Sequence, residues 1–247
     1  MLSLSARSNH KSLVLGLMAV GLWSTMATAF KWALAYSSPM QLITAAATVS
    51  WVFFAVSLAI SGRLSRVTEV PRPLLWRCLI LGLLNPALYY WILFQAYDLL
   101  PAQDAMAINY TWGLTLPLIA ALFSKIVPTR SEVGLALLSY LGILIIVTDG
   151  DLSAFEFNAP VGVLLALAST VIWGLSWVLN ARFVDHHQLD PQVTLFLNFT
   201  AATPVLWLIT VLTDGVITMA WASILSGLYV GLFEMGIAFI LWMSALR

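Results

Sequence analysis

Apolar residues run along most of this chain in blocks of about 20, long enough to cross a bilayer as helices, and polar residues collect between the blocks. The blocks fall at residues 12–34, 40–61, 76–97, 102–123, 132–149, 160–181, 191–213 and 223–244. The pattern predicts an all-α, polytopic membrane helix bundle with eight spans. Two stretches inside the blocks match each other. Residues 82–97 and 231–246 are both apolar, and at an offset of 149 Gly82 falls on Gly231, Asn85 on Glu234, Tyr90 on Phe239 and Ala96 on Ala245. Each copy carries one strongly polar residue about a turn past its glycine. Such a residue is expensive in lipid and faces a cavity or a partner.

Composition supports the membrane reading. The chain is 61% hydrophobic and 9% charged, against roughly 25% charged in soluble domains, so a soluble fold of this size could not hide its apolar surface. The formal charge is zero and no long basic tract occurs, so nothing points to nucleic acid. The single cysteine, Cys78, excludes an intramolecular disulfide. Arg7, Lys11, the following apolar run and Ala27-Thr28-Ala29 imitate a cleavable signal peptide, but the run is long enough to span and recurs internally.

Charge then orients the spans. Arg7, Lys11, Arg63, Arg66, Arg72, Arg77, Lys125, Arg130, Arg182 and Arg247 all fall at one end of the predicted bundle. The other end carries Asp98, Asp104, Asp149, Asp151, Glu156 and Asp214. The positive-inside rule makes the basic end cytoplasmic, with both termini there. Only Lys31 departs from the sorting, near the outer end of the first span.

The internal match extends further. At an offset of 150, Leu15-Gly16-Leu17 meets Leu165-Ala166-Leu167, and Leu22-Trp23-Ser24 meets Ile172-Trp173-Gly174. The first span therefore pairs with the sixth and the third with the eighth. Five spans separate the copies, so the second is inserted upside down: an inverted repeat, with residues 1–150 as the first copy and 151–247 as the second. Counterparts of the fourth and fifth spans are still owed where the sequence stops, so the expectation is three of five helices in the second copy.

Leu22-Trp23-Ser24-Thr25, Pro117, and the stretch from Gly231 to Ser244-Ala245-Leu246-Arg247 resemble the drug/metabolite transporter superfamily, in its EamA-type family of ten-helix carriers built from two inverted five-helix repeats. Asn109-Tyr110-Thr111-Trp112 with Leu114-Thr115 resembles the branch containing bacterial aromatic amino acid exporters. The resemblance covers the whole chain and lacks the last two helices. It implies an inner-membrane carrier that exports small metabolites and uses no prosthetic cofactor.

Helical spacing sorts the candidate site residues. Gly21, Ser24, Thr28 and Lys31 form one stripe, with Trp23 further inside. Ser169, Trp173, Ser176, Trp177 and Asn180 form another. Asn85 aligns with Tyr89 and Ala96, and Asn109 with Trp112 and Gly113. These stripes read either as walls of one substrate cavity or as interhelical glue. Glu234, about 11 residues into the eighth span, is a proton-coupling or amine-binding site, or else a structural hydrogen-bonding group. Lys31 either snorkels to water or binds a substrate carboxylate. Trp23, Trp112, Trp173 and Trp177 offer faces to an aromatic ring or an ammonium. Trp51, Trp76 and Trp221 read as interfacial belt residues, and Pro86 and Pro117 as kinks.

Other signals are weak. Asn109-Tyr110-Thr111 and Asn198-Phe199-Thr200 match the glycosylation pattern but lie within spans. Asp185, His186, His187 and Asp190 lack the spacing of a helical metal site and read as a solvated loop. No nucleophile elbow, phosphate-binding loop or zinc-hydrolase helix occurs, and Thr148-Asp149-Gly150-Asp151 has no second buried aspartate to work with. The sequence therefore predicts a secondary carrier of small organic metabolites such as amino acids, with the bilayer, a small solute and protons as partners. A non-transporting scaffold and an intramembrane enzyme are the rival readings.

Overall fold

The computed structural model describes residues 2–124, 129–147, 150, 159–215 and 221–246. Lys125, Asp149, Asp151, Glu156 and Arg247, used above to sort charge, lie outside these, as does the side chain of Arg7. No strand occurs among the described residues. Seven helices are long and apolar enough to cross a membrane: α1 (His10–Leu34, continuing a helix from Leu2), α2 (Pro39–Ile60), α3 (Arg72–Leu99), α4 (Ala102–Ser124), α6 (Pro160–His187), α7 (Pro191–Asp214) and α8 (Trp221–Ala245). Between α4 and α6 lies α5 (Arg130–Val147), whose apolar part, Val133–Ile143, is shorter. The boundaries follow ordinary punctuation. Ser38 caps α2 by accepting the Gln41 N–H at 3.1 Å, Asp190 caps α7 by accepting that of Gln192 at 2.9 Å, and Pro39 and Pro191 follow them. Gly62 and Gly215 close the same two helices with φ of +66° and +74°, where a side chain would be strained.

The packing repeats itself with the helices exchanged. The central pair is α2 against α7; α3 packs on α6 and α7, and α8 packs on α1 and α2. Exchanging first for sixth, second for seventh and third for eighth reproduces the arrangement. Two indoles also tie α2 to α7. Trp51 Nε1 donates to Thr200 Oγ1, and Trp207 Nε1 donates to Thr48 Oγ1, both at 3.0 Å. Trp51 is therefore a mid-helix hydrogen-bonding residue and not the belt residue expected, whereas Trp76 and Trp221 are exposed near helix ends.

The matched glycines are where helices touch most closely. A Cβ on Gly82 would lie 2.0 Å from the Asn198 carbonyl oxygen of α7, and one on Gly231 would lie 2.6 Å from the Ala46 carbonyl oxygen of α2. In a bilayer, where lipid is as apolar as the core, small residues and interhelical hydrogen bonds hold helices together. Ser50 supplies such a bond beside Gly231, donating to its carbonyl at 2.7 Å. A second buried cluster, toward the basic end, gathers Leu58, Leu81, Phe183, Val193 and Leu197 around Cys78, whose free thiol is fully buried.

Polar clasps show which ends share a side. Arg63 and Arg66, after α2, both pair with Asp190 before α7 at 3.0 Å, and Arg63 also bonds Gln192. At the opposite end Ser38 bonds Asp214, and Ser223 Oγ donates to the Tyr36 carbonyl at 3.1 Å. The α2–α3 and α6–α7 connections thus lie together at the basic end.

Candidate functional site

Four of the helices are interrupted at mid-depth, and each sends a side chain from its interruption or from the residues flanking it to one cavity. Helix α1 breaks at Ser24 and Thr25, whose hydroxyls donate back to the Gly21 and Leu22 carbonyls at 2.8 Å, a substitution for main-chain bonding that bends helices. Helices α3 and α8 widen into π segments at Leu83–Leu88 and Val230–Ile237, the two stretches matched in the sequence. Within the first, Asn85 leaves helical geometry altogether (φ −146°, ψ 116°) beside Pro86. Helix α4 breaks at Tyr110 and Thr111 and is helical through Pro117; the break tightens around Trp112, where Thr111, Gly113 and Leu114 make three-residue hydrogen bonds. Irregular backbone at membrane depth is tolerated where it lines a cavity or is buried in protein.

Such a cavity lies beside them, with Tyr110 and Glu234 coming from the irregular segments and Trp23, Met26 and Tyr89 from the residues next to them. Its walls are Trp23, Met26 and Phe30 of α1; Tyr89, Leu93 and Tyr97 of α3; Asn109, Tyr110 and Trp112 of α4; Trp173 of α6; and Glu234 of α8. Its volume is about 20 Å³, room for roughly one water molecule. Trp23, Trp112, Trp173 and Glu234 each sit at the middle of their spans. Trp23 meets Trp112, Trp173 and Trp242 edge to face with centroids 5.7, 5.3 and 5.4 Å apart, geometries that indoles prefer. Phe30, Leu93 and Tyr97 extend the wall toward the acidic end, where Phe30 and Tyr97 touch at 5.2 Å. Toward the basic end the cavity is sealed by Trp177 on Phe239 at 4.9 Å and Phe199 on Phe239 at 6.0 Å.

Glu234 is the acid of the cavity. Tyr90, fully buried, donates its hydroxyl to Glu234 Oε1 at 2.8 Å, and Trp23 Nε1 donates to the Glu234 main-chain carbonyl at 3.3 Å. Glu234 Oε2 is buried without a hydrogen-bond partner. Asn109 is held by Ser169 Oγ at 2.9 Å and by Tyr89 Oη at 3.3 Å. The hydroxyl of Tyr110 and the indole N–H of Trp173 are buried and unpartnered.

Of the residues singled out in the sequence, Trp23, Tyr89, Asn109, Trp112, Trp173 and Glu234 meet at this cavity, and Lys31, Asn85, Trp177 and Asn180 do not line it. Asn85 donates to Ser176 Oγ at 2.9 Å, joining α3 to α6. Asn180 donates to the Ser176 carbonyl at 2.9 Å and meets the Asn198 amide at 2.9 Å, joining α6 to α7. Both act here as the interhelical bonds of the packing alternative. Trp177 is packed among Trp173 and Phe239 with 1% exposure. Trp177→Ala is therefore expected to destabilise by about 3–5 kcal/mol and to lower folded yield in step with transport, measured by size-exclusion profile and thermal unfolding in detergent. Lys31 is half-buried on the Gly21, Ser24, Thr28 stripe, which faces outward on this chain, while the α1 face that meets the cavity is the apolar one of Trp23, Met26 and Phe30.

Sequence reasoning missed Tyr90, Tyr110, Met26, Phe30, Leu93 and Tyr97. A usable signal existed: Trp23–Met26–Phe30 and Tyr89–Leu93–Tyr97 each keep three- or four-residue spacing from a mid-span aromatic. Two larger apolar hollows lie elsewhere, about 700 Å³ between α2 and α8 and about 490 Å³ between α4 and α5. Neither shares a lining residue with the mid-depth cavity. No group of three or more metal-ligating side chains occurs among the described residues, those around His186 included.

Comparison with known proteins fits this architecture. No curated protein matches the chain. A crystal structure of a protein 25% identical to this chain superposes with a TM-score of 0.73, over 96% of this chain and 79% of that one. A sequence model described as the EamA-like transporter family matches residues 10–148 and 160–247, almost the full length. This multi-pass membrane protein, with mid-membrane breaks around one polar and aromatic cavity, belongs to the EamA-like transporter family.

Proposed function

We propose that the chain carries small organic metabolites across the inner membrane by alternating access, with the mid-depth cavity as its binding site and Glu234 as the group that couples cargo to protons. The observation that carries this reading is the convergence of four interrupted spans on one cavity containing one acid. Broken helices around a midplane site are the recurring construction of secondary carriers. The small cavity, sealed toward the basic end by Trp177, Phe199 and Phe239, corresponds to a contracted state, and cargo enters when the helices separate. The two inverted halves, 1–150 and 151–247, supply the moving parts: the exchange of α3 on α7 for α8 on α2 gives two equivalent contacts about which to rock. Amino acids are one cargo class to test, as the resemblance to aromatic amino acid exporters implies. The test is counterflow in proteoliposomes: saturable exchange of a labelled solute supports a carrier, and its absence across a broad metabolite set favours a scaffold.

The positive-inside rule makes the basic end cytoplasmic, from the placement of Lys11, Arg63, Arg66, Arg72, Arg77, Arg130 and Arg182. A reporter fused after Arg63 is expected to read cytoplasm, and one fused after Asp214 the exterior. The opposite pair of signals would invert the orientation of the whole bundle.

A further inference from the structure

We infer that the cavity selects an aromatic or apolar amine bearing a neutral hydrogen-bond acceptor, and discriminates against the corresponding amino acid. The inference rests on the carrier reading above and narrows its cargo. Three buried polar atoms on cavity residues lack partners: one acceptor, Glu234 Oε2, and two neutral donors, the Tyr110 hydroxyl and the Trp173 N–H. Buried groups of this kind are costly until matched, and a ligand that matches them gains what solvent would otherwise supply. The other oxygen of Glu234 is committed to Tyr90, so the carboxylate is fixed in place and offers one site. Asn109, already bonded to Ser169 and Tyr89, is less available.

The charges decide the cargo. Among the described residues no Lys, Arg or His lines the cavity, and Lys31 does not reach it. An ammonium placed on Glu234 Oε2 would neutralise the one acid and could rest against indole faces of Trp23 and Trp173. A carboxylate on the same cargo would add a second negative charge beside Glu234 in a low-dielectric site, met by neutral donors only. A carbonyl, hydroxyl or amide oxygen in that position suits the Tyr110 and Trp173 donors without the charge.

Three compounds of one skeleton test this: phenylalaninamide, phenylalanine and 3-phenylpropionate, each offered in counterflow to proteoliposomes of the full chain. Phenylalaninamide is expected to be transported, with an apparent KM at least tenfold below that of phenylalanine, and 3-phenylpropionate not at all. Tyr110→Phe should raise the KM for phenylalaninamide at least threefold more than it raises that for phenethylamine, which has no acceptor. Phenylalanine transported as well as its amide, or 3-phenylpropionate transported at all, would overturn the inference and leave the carrier standing. The same holds if all three fail while another metabolite exchanges. Failure of every solute overturns the carrier reading itself.

Discussion

Gly82→Ala is expected to be among the most damaging small substitutions in the chain. The added Cβ would sit 2.0 Å from the Asn198 carbonyl oxygen, with the Asn198 carbonyl carbon and Cα at 2.6 and 2.7 Å. All three are backbone atoms of α7, so no side chain can turn away and the helices themselves must part. Overpacking in well-packed cores costs about 1–3 kcal/mol and occasionally more. With only backbone to yield, Gly82→Ala belongs at or above the upper end, about two orders of magnitude in the folded-to-unfolded ratio. Gly113→Ala is the control, since it is also helical and within a span but meets nothing within 4 Å. Thermal unfolding in detergent should show Gly82→Ala far below wild type and Gly113→Ala close to it. Equal behaviour of the two would mean that α3 and α7 are not in this close contact in the membrane.

The second large effect is on transport and not on folding. Glu234→Gln keeps the shape of the side chain and an acceptor for the Tyr90 hydroxyl, so folded yield is expected within about twofold of wild type. What it loses is the ability to take up a proton or to pair with a cation at the unpartnered oxygen. Transport should fall by at least about tenfold, a modest value for removing a buried charge partner from a binding site. The remaining activity should be independent of pH over the range in which the wild type varies. The measurement is counterflow and pH-driven efflux in vesicles at several pH values. Identical pH profiles in wild type and variant would reduce Glu234 to a structural hydrogen-bonding group.

The reach of the sequence can be judged from individual residues. Span positions were readable to within a few residues because runs of about 20 apolar residues leave little freedom in where a helix crosses. The two interrupted stretches were readable because a polar residue at mid-depth stands out against an apolar background, as Asn85 and Glu234 do. Which face of a span points inward was harder, since lipid and protein core are both apolar and Phe30 or Leu93 looks the same in either. The stripe of Ser24 and Thr28, open in the sequence between cavity wall and packing surface, faces outward for a related reason. A hydroxyl that donates to its own helix, as Ser24 does to Gly21, can face outward at little cost. An asparagine cannot satisfy its whole amide that way, and so Asn85, Asn109 and Asn180 all proved to bridge helices.

The burial of Cys78 has a practical consequence. It is the chain's one thiol, fully enclosed between α2, α3, α6 and α7. Thiol reagents act on exposed thiolates, so the unaltered protein is expected to be silent toward them, which a labelling blank checks. A single cysteine added along the cavity or its seals can be read by side-specific labelling in the unmodified background. Opening at either face of the bilayer can thus be followed chemically, whether or not a cargo is yet in hand.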